Sequence, residues 1–267
     1  MDRKGLISLI IICGTFVFLG FAISFAKSKG QAEYTIALSA TLIFLVYLFT
    51  YTIVHTRKRM RLSKKLTRIF CEDMDVDGYI SEIKAEKLRK NSSDIQVMLS
   101  FCLASGYAKI GEFEKAIETL DQFKKVMRGY SGRAKALYYN DLAFFHFENG
   151  NYEDAIKAFS SGEKHISKQL KIYEKTSSFL DTKAHIEYAK GNLEDSEKLL
   201  KSAINRPNSG PSLLVSSNLL LAKIYVETDR VKEAILLLEY CLSQKLYSID
   251  YKKCKDFFEV LNTTVGD

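Results

Sequence analysis

Four times between Leu103 and Leu238 the chain runs through one pattern. An apolar helix leads to a short polar turn with Gly or Asp, then to a second helix with a small residue and an apolar one four positions on. The segments are Leu103-Ala104…Tyr107…Gly111…Ala116…Leu120 and Leu142-Ala143…His146…Gly150…Ala155…Phe159. They continue as Ala184…Gly191…Ser196…Leu200 and Leu221-Ala222…Tyr225…Asp229…Ala234…Leu238. A unit this small cannot bury its own apolar face and must stack on its neighbours. Apolar residues recur at three and four positions through residues 69–267, with no strand-like alternation, and the two prolines, Pro207 and Pro211, share one turn. The expected fold class is all-α.

The pattern resembles the tetratricopeptide repeat, most recognisably in Gly-Glu-Phe-Glu-Lys-Ala-Ile at 111–117 and Gly-Asn-Tyr-Glu-Asp-Ala-Ile at 150–156. A small residue at Ala116, Ala155 or Ala234 lets the two helices of a hairpin approach, and the Gly accepts the backbone that ends the first helix. The resemblance implies an α-solenoid of about four helix-turn-helix repeats over residues 95–245. The chain departs from the family in its spacing. Its small second-helix positions, 116, 155, 196 and 234, lie 39, 41 and 38 residues apart instead of the usual 34. The third repeat carries Ser196 in place of Ala and Glu187 in place of an aromatic, and His146 replaces Tyr in the second. Tyr79–Lys90 is expected as a leading helix. Asp250–Leu261 is expected as a capping helix within residues 246–267, with Tyr251, Phe257, Phe258 and Leu261 on the last hairpin.

Residues 1–54 read differently. Gly5–Ala26 and Tyr34–Val54 hold no charged residue, and Lys27–Glu33 is too short to be a folded domain. A helix of the first span's length is about 33 Å long, against a hydrocarbon core of about 30 Å. The expectation is a two-span transmembrane helical hairpin. Asp2-Arg3-Lys4 and Ser24-Phe25-Ala26 also fit a cleaved leader, although the apolar stretch exceeds the usual length of one. The basic juxtamembrane segment that follows, within residues 55–94, carries Arg57, Lys58, Arg59, Arg61, Lys64, Lys65 and Arg68. Such residues mark the cytosolic side and meet anionic lipid. The two-span hairpin is therefore expected to keep the N-terminus and the repeats in the cytoplasm, and cleavage of the first span would not change the side on which residues 55–267 lie. Small polar residues in the spans (Ser8, Thr15, Ser24, Ser39, Thr41) suit self-association through the hairpin. Frequent Lys and Ile without Trp suits the plasma membrane of a low-GC bacterium.

The net charge of +7 does not point to nucleic acid. Residues 1–68 hold 11 Lys/Arg and 2 Asp/Glu, so residues 69–267 are slightly acidic. A nucleic-acid binder would spread basic residues over a folded face. The spans contain no ionisable residue that would carry a proton or an ion.

The sharpest short motif is Asp73-Met-Asp-Val-Asp-Gly-Tyr-Ile-Ser-Glu-Ile-Lys84, which matches the first eight positions of an EF-hand calcium loop. Position twelve, normally a bidentate Glu, is Lys84. Two readings follow: a calcium loop without its main ligand, or an acidic turn in which Asp75 or Asp77 caps the next helix. The four His and five Cys show no metal-site spacing, and phosphate-loop, dinucleotide and hydrolase motifs are missing. The chain is accordingly expected to be no enzyme, with neither cofactor nor metal.

The resemblance implies a concave surface lined by the first helix of each hairpin. Carried over position by position, it comprises Phe101, Ser105 and Lys109; Asn140, Phe144 and Glu148; Asp181, His185 and Tyr188; and Leu219, Lys223 and Glu227. Such a surface would take an extended or helical segment of a protein partner. The expected function is a membrane-anchored, cytosol-facing scaffold for protein–protein interaction. The alternative is a structural subunit of a larger membrane complex.

Overall fold

Helices in a computed structural model of the chain follow the apolar periodicity closely. Residues 31–89, 93–172, 177–206 and 210–265 are described. The chain divides into two units, residues 1–72 and 73–267. The described part of the first unit is one long helix, α1 (Gln31–Thr67), followed by a π-helical turn, Arg68–Glu72.

Among the described residues no helix is long and apolar enough to cross a membrane. The expected hairpin is therefore not shown. Its first span, Gly5–Ala26, lies outside the described residues. The second, Tyr34–Val54, is the N-terminal part of α1, which continues without a break through the basic stretch. Eight of the 21 residues in that span are Ser, Thr or Tyr, which dilutes its apolar character.

The second unit is an all-α, TPR-like array. It comprises α2 (Val76–Lys87), α3 (Ser93–Lys109), α4 (Phe113–Asp121), α5 (Gly132–Glu148), α6 (Tyr152–Ile172), α7 (Ser177–Ala189) and α8 (Leu193–Ile204). After these come α9 (Pro211–Glu227), α10 (Val231–Leu242) and α11 (Ser248–Val265). Helices α3/α4, α5/α6, α7/α8 and α9/α10 are the four expected hairpins, with α2 leading and α11 following.

One device ends the first helix of each hairpin. Gly111, Gly150 and Gly191 have φ of 81°, 78° and 82°, and Asp229 takes the same left-handed backbone at 58°. In each turn that residue donates to the carbonyl three back, and the next residue donates to the carbonyl five back. Gly150 to Phe147 and Asn151 to His146, both 2.9 Å, show the pattern. These bonds satisfy carbonyls that the helix end would otherwise orphan.

Beyond the turn, Ala116, Ala155, Ser196 and Ala234 are buried, facing the equally buried Ala104, Ala143, Ala184 and Ala222 of the first helices. Ser196 fits an alanine position because its hydroxyl donates to the Ala184 carbonyl across the hairpin at 2.8 Å. Its alignment with the other three small residues places the third repeat in register. One turn on, Leu120, Leu200 and Leu238 are fully buried, each contributing roughly 2 kcal/mol of apolar burial. The long repeat spacing arises from 17-residue first helices in three repeats and from the 21-residue α6.

The acidic turn before α2 is a helix cap. Asp75 accepts from the Gly78 backbone N–H at 2.8 Å and Asp77 lies in the first helical turn, so of the two expected candidates Asp75 is the cap. At the far end, Phe257 and Phe258 are half-buried and Leu261 buried against the last hairpin. Tyr251, expected beside them, is exposed.

Candidate partner-binding groove

The first helices of the four repeats converge on a small cavity of about 60 Å³. Helix α3 contributes Lys109, α5 contributes Phe144 and Glu148, α7 contributes His185, and α9 contributes Leu219 and Lys223. All six were expected groove positions, spread over 115 residues of sequence and brought together by stacking of the repeats. The other expected positions lie elsewhere. Phe101 is half-buried against the core, and the Ser105 hydroxyl donates to the Phe101 carbonyl at 3.0 Å. Tyr188, half-buried, donates to Glu227 of the next repeat.

Asn140 and Asp181 are buried away from the cavity, and His185, which lines it, is itself buried. Asn140 donates to Asp141 at 3.3 Å. Asp181 is a junction between repeats, accepting from Ser217 at 2.5 Å and from Ser216 at 3.3 Å. Burial pushes its carboxyl above the usual range, a shift that the two hydroxyls partly offset. His185 lies edge-on to Phe144 and Phe147, with ring centroids 5.3 and 4.7 Å away. Its Nδ1 sits 2.8 Å from the Asp181 carbonyl oxygen, which can only accept, so Nδ1 carries the proton. The serine hydroxyls are thus spent on Asp181 and the imidazole on backbone. These polar groups hold α7 against α9 and keep the aromatic floor of the cavity in place.

The cavity rim is charged. Lys109 pairs with Asp250 at 2.9 Å, and Glu148 pairs with Lys253. Burial pushes the Glu148 carboxyl up, but the neighbouring Lys253 and Lys223 outweigh it and hold the group below its ordinary value. At neutral pH the rim therefore presents fixed charges of both signs over an aromatic floor. Such a surface is suited to gripping a peptide or helix.

No protein-family model matches the chain, and no curated protein does. Several solved structures are similar to it. A thermophilic TPR protein of Thermus thermophilus is 14% identical, with a TM-score of 0.49 over 78% of this chain and 98% of that one. A Podospora anserina protein described as kinesin light chain, with nearly identical TPR-like repeats, is 19% identical. Its TM-score is 0.46 over 68% of this chain and 93% of that one. BtubC (BKLC) of P. vanneervenii is 16% identical, with a TM-score of 0.41 over 96% and 91%.

Sequence reasoning missed one wall of the cavity. Ile249, Asp250 and Lys253 of α11 line it together with Phe113 and Phe147. Periodicity shows that α11 is a helix. It does not show that a segment 141 residues after Lys109 returns to it. The basic residues of the first unit are where expected along the chain: Arg57, Arg59, Arg61, Lys64 and Lys65 are exposed on α1, and Arg68 on the π-turn. Lys58 lies on α1 as well.

Proposed function

We propose that this chain is a membrane-tethered scaffold whose repeat groove captures a protein partner on the cytosolic side. One observation carries the partner reading: side chains from all four repeats converge on a single cavity with an aromatic floor and a charged rim. Phe144 and Lys223 line that cavity from the second and fourth repeats, and replacing both by Ala should weaken partner capture while leaving helicity intact. Proximity labelling in cells with wild type and this double variant tests the reading. Identical labelling profiles would overturn it.

The tether is supported by the surface of α1. Leu42, Phe44, Val46, Tyr47, Phe49 and Tyr51 are exposed on α1, an arrangement costly in water. Thr50 and Thr52 turn their hydroxyls back onto the Val46 and Leu48 carbonyls at 2.6 and 2.7 Å, which leaves little polar surface to solvate. The exposed basic residues beyond suit a surface of anionic headgroups. Alkaline extraction of isolated membranes tests the tether, with the chain expected in the pellet. Protease added to sealed inside-out vesicles should digest residues 69–267. Release by alkali would refute anchoring, and protection from protease would refute the orientation.

The exposed apolar surface of α1 also favours a second reading, in which the helix packs on other membrane proteins and the repeats brace a larger complex. Loss of the chain whenever one other subunit is deleted would favour it. Stable accumulation of the chain alone favours the scaffold.

A further inference from the structure

Helix α11 reaches two places at once. From Cys254 onward, Cys254 and Leu261 are buried against the last hairpin. Its first turns reach back to the first two repeats, where Asp250 accepts from Lys109 at 2.9 Å and Lys253 pairs with Glu148. Lys253 also stands 5.1 Å from the Phe113 ring centre. Ile249 lies so close to Gly111 that a Cβ there would fall 2.7 Å from its Cδ1. The two rim charges of the groove are thus already answered from within the chain. Lys109 has a carboxylate and Glu148 an ammonium, and the two answering groups sit three residues apart on one helix face.

We propose that the first turns of α11 are a self-ligand that holds the groove closed. The partner is a helix presenting the same chemistry: an apolar residue, a carboxylate beside it, and an ammonium three residues later. Such a helix takes Lys109 and Glu148 over from Asp250 and Lys253. The charge complementarity already realised inside the chain identifies it, because the rim selects for that order of charges and against its reverse. The strap is built to be exchanged. Its hold on the first two repeats is narrow: two ion pairs partly open to water, which salt weakens, and the contact of Ile249 with the Gly111 turn, whereas the helix from Cys254 to Leu261 is held by apolar burial and stays docked. This inference rests on the groove reading above.

The test uses the full-length chain in detergent micelles, with hydrogen exchange over residues 246–256 reporting the strap without any partner. The Asp250→Lys/Lys253→Glu variant sets like charges against Lys109 and Glu148, and exchange there should rise at least tenfold. Lys109→Glu combined with Asp250→Lys restores one pair and should restore protection, which separates release from misfolding. The binding probe is a labelled peptide with the sequence of residues 246–262, carrying Cys254→Ser. It should bind the opened variant at least tenfold more tightly than wild type. A peptide with the Asp250 and Lys253 identities exchanged should bind at least tenfold more weakly than the probe. Unchanged exchange in the opened variant overturns the strap. Equal binding of the two peptides, or equal binding to wild type and variant, overturns the partner chemistry. A strap-exchanged dimer of the opened variant, seen by native mass spectrometry, makes a second copy the occupant and overturns the partner helix. Failure of the groove reading shows separately, as unchanged labelling by the Phe144/Lys223 variant with the exchange result intact.

Discussion

Arg230 and Glu197 meet through two parallel hydrogen bonds, Nη1 to Oε1 at 3.0 Å and Nη2 to Oε2 at 2.6 Å. The pair ties α8 of the third repeat to the residue that immediately precedes α10. The guanidinium also lies 4.1 Å from the Tyr225 ring centre, and Lys201 adds a bond to the same carboxylate at 2.7 Å. The Arg230 hydrogen bond is the main reason the Glu197 carboxyl is held at about 2, with Lys201 adding to it against the cost of burial. A folded-state value below the unfolded one means stability that is present above about 4.5 and lost as pH falls towards 2. Glu197→Gln should lower the melting temperature at pH 7 by roughly 1–3 °C, a modest effect because water reaches the pair. The difference from wild type should fade as the pH approaches 2. Superimposable melting curves at pH 7 would show that the pair does not hold the repeats together.

Gly162, inside α6, sits where a Cβ would lie 2.2 Å from the Cβ of Tyr139 on α5. A Cβ cannot swing aside as a chain end can, so Gly162→Ala must push the two helices apart. The expected cost is about 1–3 kcal/mol, read as a lower denaturant midpoint. Gly132→Ala is the control, because its Cβ would meet only His165 Nδ1 at 3.6 Å. Equal midpoints for the two variants would contradict the close approach.

Asp141 is half-buried as a residue, but its carboxyl is enclosed by protein, and that enclosure governs its ionisation. Burial pushes the group up to about 7, against a hydrogen bond from Asn140. The folded chain then binds this proton more tightly than the unfolded chain, so stability falls as pH rises from about 4 to 7. Asp141→Asn should stabilise the protein at pH 8, by a few kcal/mol at most, and should make no difference below pH 4. A variant less stable than wild type at pH 8 would mean that the carboxylate has a favourable partner.

Ser196→Ala removes the bond to the Ala184 carbonyl while keeping the close hairpin, and should cost about 0.5–1.5 kcal/mol. Ser196→Leu overfills the same site and should cost more, with loss of helical signal at lower denaturant. If the alanine variant were the less stable of the two, Ser196 would not occupy the small-residue site.

The hairpins were legible because each depends on residues a few positions apart. The Gly and Asp of the turns, the alanines facing each other and the leucines one turn on act within about 40 residues. The third repeat was obscured by Ser196 and Glu187, which satisfy the geometry with different chemistry. Ser196 donates across the hairpin. Glu187 keeps the helix-ending carbonyl role of Tyr107, His146 and Tyr225, because that bond is made by backbone. The groove was half legible: stacking placed Lys109, Phe144, Glu148, His185, Leu219 and Lys223 around one cavity but buried Asn140 and Asp181 away from it. Which face of a first helix points outward depends on the twist between repeats, and periodicity does not encode that twist.

By itself, the amino-acid order determined the helices, the four turns and the small-residue contacts, since these follow from local backbone preference and short-range apolar spacing. It also set the asymmetry between a basic N-terminal stretch and a nearly neutral repeat array. Only the tertiary structure decided that Asp250 and Lys253 return to Lys109 and Glu148. That meeting depends on small rotations accumulated over four stacked hairpins, and no single residue carries their sum.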